Sequence, residues 1–241
     1  FMVVPLTQGL ITSFGWRETM LLGAALALAI VVLARGIAGL PAGGPASAAR
    51  QQSLKEALGE ASRHPGYWLL NFGFFVCGFH VAFISTHLPA FLADQGLDPA
   101  IGARALALIG LFNILGSYVF GLSADKLRKK YVLSALYFAR SAVIVAFLAV
   151  PFTPLSATLF ACAIGFLWLG TVPLTSGLVS QIFGVRYLAT LFGIVFMSHQ
   201  VGGFFGAWLA GRFFEGTGSY DLAWQVSIAL GLLAGVVNLP I

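Results

Sequence analysis

Charge is what this 241-residue sequence has least of. Asp, Glu, Lys and Arg make up 9% of it, against 59% hydrophobic residues and a mean hydropathy of +0.94. Soluble domains carry about 25% charged and about 45–50% apolar residues, and a soluble fold of this length has too little interior to hide so much apolar side chain. The chain therefore reads as an integral membrane protein. The net charge of +5 does not point to nucleic acid, because no segment could form a basic face on a soluble domain.

Other scarcities narrow the function. The two cysteines, Cys77 and Cys162, lie in separate apolar runs without CxxC or Cys/His spacing, so they read as small hydrophobes and not as a disulfide or metal pair. The histidines offer no i, i+4 pair and no nearby acid, so no metal site is expected. Glycine-rich strings neither follow a strand nor end in Lys-Ser/Thr, which argues against a nucleotide loop, and no cofactor is expected. No nucleophile with a base and an orienting partner lies in the apolar runs, which argues against an enzyme. A channel would need a repeated filter or a ring of charge, and neither is seen. The opening stretch FMVVPLTQGLIT lacks a basic n-region and a small-residue cleavage site, and reads as the inside of a helix in something longer.

What is present is a series of apolar runs, each long enough to cross a hydrocarbon core of about 30 Å. Spans are predicted near Trp16 to Ala34, Tyr67 to Ala93, Ala100 to Leu122, Tyr131 to Val150, Leu155 to Ile182, Leu191 to Phe213 and Leu222 to Ile241, after a partial one at the start. The short connections imply antiparallel neighbours. One connection is different: residues 35–65 pass from a Gly/Pro/Ala/Ser linker to an amphipathic pattern, with Leu54, Leu58 and Ala61 opposite Lys55, Glu56 and Glu60. This is the stretch that can divide the chain into two units. Assigned to alternate sides, nine of the thirteen Lys and Arg residues fall on one side, three (Arg17, Arg104 and Arg212) on the other, and Arg140 inside a span. The positive-inside rule then places the 35–65 linker and the 121–130 segment in the cytoplasm.

That segment, GLSADKLRKK, carries four basic residues within five positions. Its Gly121, Asp125, Lys126, Lys129 and Lys130 resemble the loop motif of the major facilitator superfamily, with Arg128 where the family has a glycine. FGWRETMLLGA resembles that family's entry into helix 6, and the run from Gly170 to Gly211 with GSYDLAW is similar to helices 10 to 12 of bacterial members related to monocarboxylate transporters. The resemblance implies an all-α polytopic membrane fold: the tail of helix 5 and helix 6 in residues 1–34, a central cytoplasmic linker in 35–65, and helices 7 to 12 in 66–241. In physical terms, Gly121 would let its helix end approach a neighbour, Asp125 could accept from orphan amides, and the cations would hold the loop at the cytoplasmic face or act in a gate.

Several residues are candidates for substrate binding or coupling, each beside a plainer reading. Arg140 lies about 13 Å into its span, where a charge costs at least about 2.5–3.5 kcal/mol. No acid lies at comparable depth, so its partner is a backbone carbonyl, a residue outside this sequence or a substrate carboxylate, unless it snorkels to the loop. His80 and His87, seven apart on one helical face, and His199 with Gln200 could carry a proton or simply bond a neighbouring helix. Trp168, Thr171 and Thr175 surround Pro173, expected to break its helix and free a carbonyl where transporters of this kind bind substrate; Asn113 belongs to a smaller polar patch. Two small-residue rows, Gly202, Gly206, Ala210 and Gly203, Ala207, Gly211, are expected to pack closely.

The resemblance therefore implies a secondary active transporter in the bacterial inner membrane. Its expected partners are a small solute such as an organic anion, a coupled proton (symport), the lipid bilayer and the N-terminal half of the same transporter. An exporter of drugs or metabolites, or a receptor, are the alternative readings.

Overall fold

The structure, a computed structural model, describes residues 3–37 and 52–241, which fall into two units separated near Gln51. Residues 38–51 of the predicted linker lie outside the described residues. The first unit holds α1 (Val3–Phe14) and α2 (Trp16–Ile37). They meet at Gly15, whose φ of +88° is the left-handed conformation that glycine adopts without a Cβ penalty. Thr19 then caps the turn by donating to the Gly15 carbonyl at 2.8 Å. Most apolar side chains of α2 are uncovered within this unit, as expected of a helix solvated by lipid or by neighbouring helices.

The second unit opens with the amphipathic α3 (Leu54–Arg63). A capping box starts it: Ser53 accepts from the Glu56 amide, and Glu56 accepts from the Ser53 amide at 2.7 Å. These bonds to the carboxylate hold Glu56 below its ordinary range. The spans follow as α4 (Pro65–Asp94), α5 (Pro99–Lys126), α6 (Lys129–Leu148), α7 (Pro154–Phe166), α8 (Thr171–Phe183), α9 (Leu188–Thr217) and α10 (Asp221–Val237). Among the described residues, six segments are long and apolar enough to cross a membrane, with α7 and α8 counted as one; α10 is shorter. Prolines begin α4, α5 and α7, where a missing N–H costs nothing because first-turn amides have no helical acceptor. The helical membrane architecture matches the expectation, while the predicted span from Leu155 to Ile182 is two helices.

Three helix pairs carry most of the packing: α4 with α9, α5 with α7, and α6 with α10. Lipid offers no hydrophobic drive between helices, so close backbone approach must supply the attraction. Glycine makes that approach available. A Cβ added at Gly78 would fall 1.9 Å from the His199 carbonyl oxygen, and one at Gly202 would fall 1.9 Å from that of Phe75. The first small-residue row, Gly202, Gly206 and Ala210, is thus the buried face of α9 against α4, while the second row is only half-buried. In the same way Gly116 of α5 sits on the Phe166 carbonyl, and Gly165 of α7 on the backbone of Ile109.

Within the second unit, no residue lies within 4 Å of where a Gly121 Cβ would be. The predicted 121–130 loop also shrinks to two residues, because Gly121 to Lys126 end α5 and Lys129 starts α6.

Alanine at Gly78 or Gly202 should therefore force α4 and α9 apart, at a cost of about 1–3 kcal/mol. Alanine at Gly193, which faces open space, should be neutral or stabilising. Thermal melting of the detergent-purified protein, followed by loss of the monodisperse chromatographic peak, separates the two classes.

Candidate functional site

The interruption of the fifth long span is where polar chemistry enters the bundle. Helix α7 ends at Phe166 and α8 starts at Thr171, leaving 167–170 outside both. Proline at 173 has no N–H and its ring crowds the carbonyl four residues earlier, that of Leu169, so a regular helix is disfavoured at this point, and here it is interrupted. Pro173 itself sits in the first turn of α8, where it is tolerated. The break thus lies ahead of the proline, not at it.

Backbone groups freed inside a membrane must find partners within the protein, and two predicted residues provide them. Arg140 on α6, 1% exposed, donates from Nε and Nη2 to the Leu167 carbonyl at 3.0 and 2.7 Å, and from Nη2 to that of Trp168. Its guanidinium also lies 5.5 Å from the centre of the Tyr137 ring, one turn earlier on α6. Asn113 on α5 complements it on the other side of the break, where its Oδ1 accepts from the Leu169 amide at 3.1 Å and from Ser117 at 3.3 Å. A cation meets the carbonyl end of α7 and an acceptor meets an amide ahead of α8, as the helix dipoles require. Of the partners left open for Arg140 by the sequence, the backbone carbonyl is the one observed, and the side chain does not snorkel.

Thr171 joins the cluster through Cys77 of α4, whose Sγ is 3.2 Å from its hydroxyl. Thr175 is buried one turn further along α8, and Trp168 lies in the break itself, 8% exposed. Tyr137 donates to the Gly73 carbonyl, tying α6 to α4. Arg140 retains one buried donor, Nη1, without a partner.

The histidines diverge. His80 Nε2 lies 2.8 Å from the Ser227 carbonyl; an acceptor-only oxygen requires that nitrogen to carry the proton, while buried Nδ1 has no partner. His87 donates from Nε2 to the Ala207 carbonyl at 2.9 Å, with Nδ1 3.3 Å from the Tyr220 hydroxyl. His199 on α9 lies between the rings of Phe74 and Phe196, with Nδ1 3.1 Å from the Gln200 amide oxygen and the ring beside the Cys77 thiol. Gln200 is exposed.

The structure thus brings Asn113, Arg140, Trp168 and Thr171 together at the break and leaves His87 apart. Of the proposed gating residues, Lys126 is exposed, Lys129 lays its stem along Gly177, and Lys130 donates to the Ile241 carbonyl at 3.1 Å. Asp125 is on α5, with its side chain outside those described. Two cluster members were not foreseen. Tyr137 was detectable by its i, i−3 spacing from Arg140, whereas Cys77 reaches Thr171 across 94 residues and gives no local signal. No group of three or more His, Cys, Asp or Glu able to hold a metal occurs among the described residues.

A family model described as Major Facilitator Superfamily matches residues 1–207. Curated relatives agree. The uncharacterized MFS-type transporter YcxA of Bacillus subtilis is 31% identical over 176 residues, 71% of this chain and 43% of that protein. YhjX of Escherichia coli, also an uncharacterized MFS-type transporter, is 30% identical over 151 residues, 60% of this chain and 36% of its own length. Monocarboxylate transporter 13 of Bos taurus is 28% identical over 251 residues, 100% of this chain and 56% of its own. The chain thus spans about half the length, or less, of these relatives.

Arg140→Ala should strand two carbonyls and Asn113→Ala one amide, each group costing about 1–3 kcal/mol. Arg140→Lys should fall between wild type and Arg140→Ala, since a single ammonium cannot reproduce a planar fork over two oxygens. The order of melting temperatures across the three variants checks the assignment.

Proposed function

The chain belongs to the Major Facilitator Superfamily, and from that premise we propose that it is part of a secondary active transporter that moves a small organic anion together with a proton by alternating access. Membership and the six long apolar segments make it an integral, multi-pass membrane protein. Residues 1–34 are read as the end of the N-terminal half, 35–65 as the cytoplasmic linker and 66–241 as the C-terminal half, in a bacterial inner membrane.

The observation that carries this reading is the interrupted span with a converging polar cluster in an otherwise apolar bundle. Broken helices lining a cavity are where membrane transporters expose backbone and polar side chains to substrate near the midplane. Trp168 of the break with Thr171 and Thr175 of α8 would form the substrate-facing part of this span, and the spare Nη1 donor of Arg140 supports an anionic guest. The name of the bovine relative supports a monocarboxylate among small anions. For the proton, no Asp or Glu lies deep in a described span, so a coupling carboxylate belongs to the N-terminal half, and the candidates on this chain are the histidines. His199 fits it best: it lies beside the Cys77 thiol that joins the cluster at the break through Thr171, and Gln200 next to it is exposed. His80 and His87 each spend a nitrogen on a backbone carbonyl.

Uptake by the full-length protein in liposomes tests the reading, with small carboxylates and neutral solutes compared with and without an inward proton gradient. Carboxylate uptake should accelerate several-fold with the gradient. His199→Ala should abolish that acceleration while leaving exchange of unlabelled for labelled substrate intact. A panel that shows neither a gradient response nor a preference for anions would sink the proposal.

A further inference from the structure

Two cavities meet at Arg128, and together they have the shape and charge of a phospholipid. The first, about 220 Å³, is lined by Arg128, Lys129 and Lys130 with residues of α8 and Ile241. The second, about 620 Å³, is an apolar groove between α5 and α6 that starts at Leu127 and Arg128, follows Tyr131, Ala135 and Ala139, and ends on Leu167. Among the described side chains, neither lining contains an Asp or Glu. From these we propose that the junction of α5 and α6 is a binding site for one anionic phospholipid, its phosphate among the three cations and an acyl chain in the groove.

Charge favours an anion here. Helix α6 begins with Arg128 as its N-cap, makes no side-chain cap, and has no acid in its first turn. Three cations therefore surround the end of a helix whose own dipole is already positive, which is an unfavourable arrangement until an anion joins it. Among the described residues, Lys130 donates to the Ile241 carbonyl oxygen at 3.1 Å and rests near the Tyr131 ring, while Lys129 lays its stem along Gly177. Charge asymmetry along the chain puts this end at the cytoplasmic face, where anionic headgroups attract each nearby Lys or Arg.

Length selects a lipid over free phosphate. From Arg128 to Ala139 is eleven residues of α6, about 16 Å of helix, which matches one leaflet of a hydrocarbon core about 30 Å thick. The groove is open on its side: Leu127 is 60% and Tyr131 47% exposed. A small soluble anion would leave it empty. Its floor, Leu167, is the residue whose carbonyl holds Arg140, so the bound chain would rest against the broken span.

The site does not depend on transport, and its test does not measure transport. Native mass spectrometry of the full-length protein would compare phosphatidylglycerol with phosphatidylcholine of identical chains. Phosphatidylglycerol, the anionic lipid of the two, should bind about tenfold more tightly, with affinity falling roughly fivefold for each cation removed in Arg128→Ala, Lys129→Ala and Lys130→Ala. Filling the groove with Ala135→Phe and Ala139→Phe should weaken phosphatidylglycerol while leaving the melting temperature near wild type, since both positions line the lipid-facing groove. Equal binding of the two lipids, or a triple alanine variant that keeps its preference, overturns the proposal. So does displacement of the lipid by millimolar inorganic phosphate, which would mean an anion site without a lipid.

Discussion

The whole second unit answers to one constraint: inside lipid, every backbone donor and acceptor must be satisfied by protein. A break in a span violates it unless partners are built in, and here they are Arg140 and Asn113, one on each side of residues 167–170. The magnitudes explain why a buried charge is tolerated. Placing an arginine at depth costs about 2.5–3.5 kcal/mol on insertion scales. Hydrogen bonds involving a charged group return about 1.5–3 kcal/mol each, and the end of α7 and the Tyr137 face add further attraction. The charge is sustainable because the helix is broken, and the break is sustainable because the charge is there.

Reaching the break requires backbones to come unusually close. Gly116 on the Phe166 carbonyl and Gly165 on Ile109 draw α5 and α7 together, which is what puts Asn113 within 3.1 Å of the Leu169 amide. Gly78 and Gly202 do the same for α4 and α9 and set His199 beside the aromatic ring of Phe74. Small residues far from any polar group thus fix polar geometry, since a side chain of a given length can reach only as far as the helix carrying it allows.

Sequence revealed some of this and hid the rest for identifiable reasons. The spans were visible because hydropathy over about 20 residues is a summed property that tolerates local exceptions. Arg140 announced itself as a charge in the wrong place, but its partner did not, because carbonyls carry no sequence signature. Pro173 marked an interruption, yet the helix fails ahead of it: the ring excludes the carbonyl of residue 169, while proline suits the first turn of the helix that restarts. His80 and His87 share a helix as their spacing suggested, but seven residues separate them by about 10 Å along the axis, so they reach different neighbours, Ser227 and Ala207.

Leu167 joins these themes in one residue. Its side chain lines the groove between α5 and α6, and its carbonyl takes two bonds from Arg140 in the buried cluster. A regular helix would keep that carbonyl for its own ladder, and the outer surface would have no polar link to the interior. Because the span is interrupted here, a displacement of the Leu167 backbone must alter the Arg140 hydrogen bonds, and through Thr171 and Cys77 the contact between α8 and α4. The surface groove and the polar interior therefore share the short segment between α7 and α8, which is held by contacts of about 3 Å.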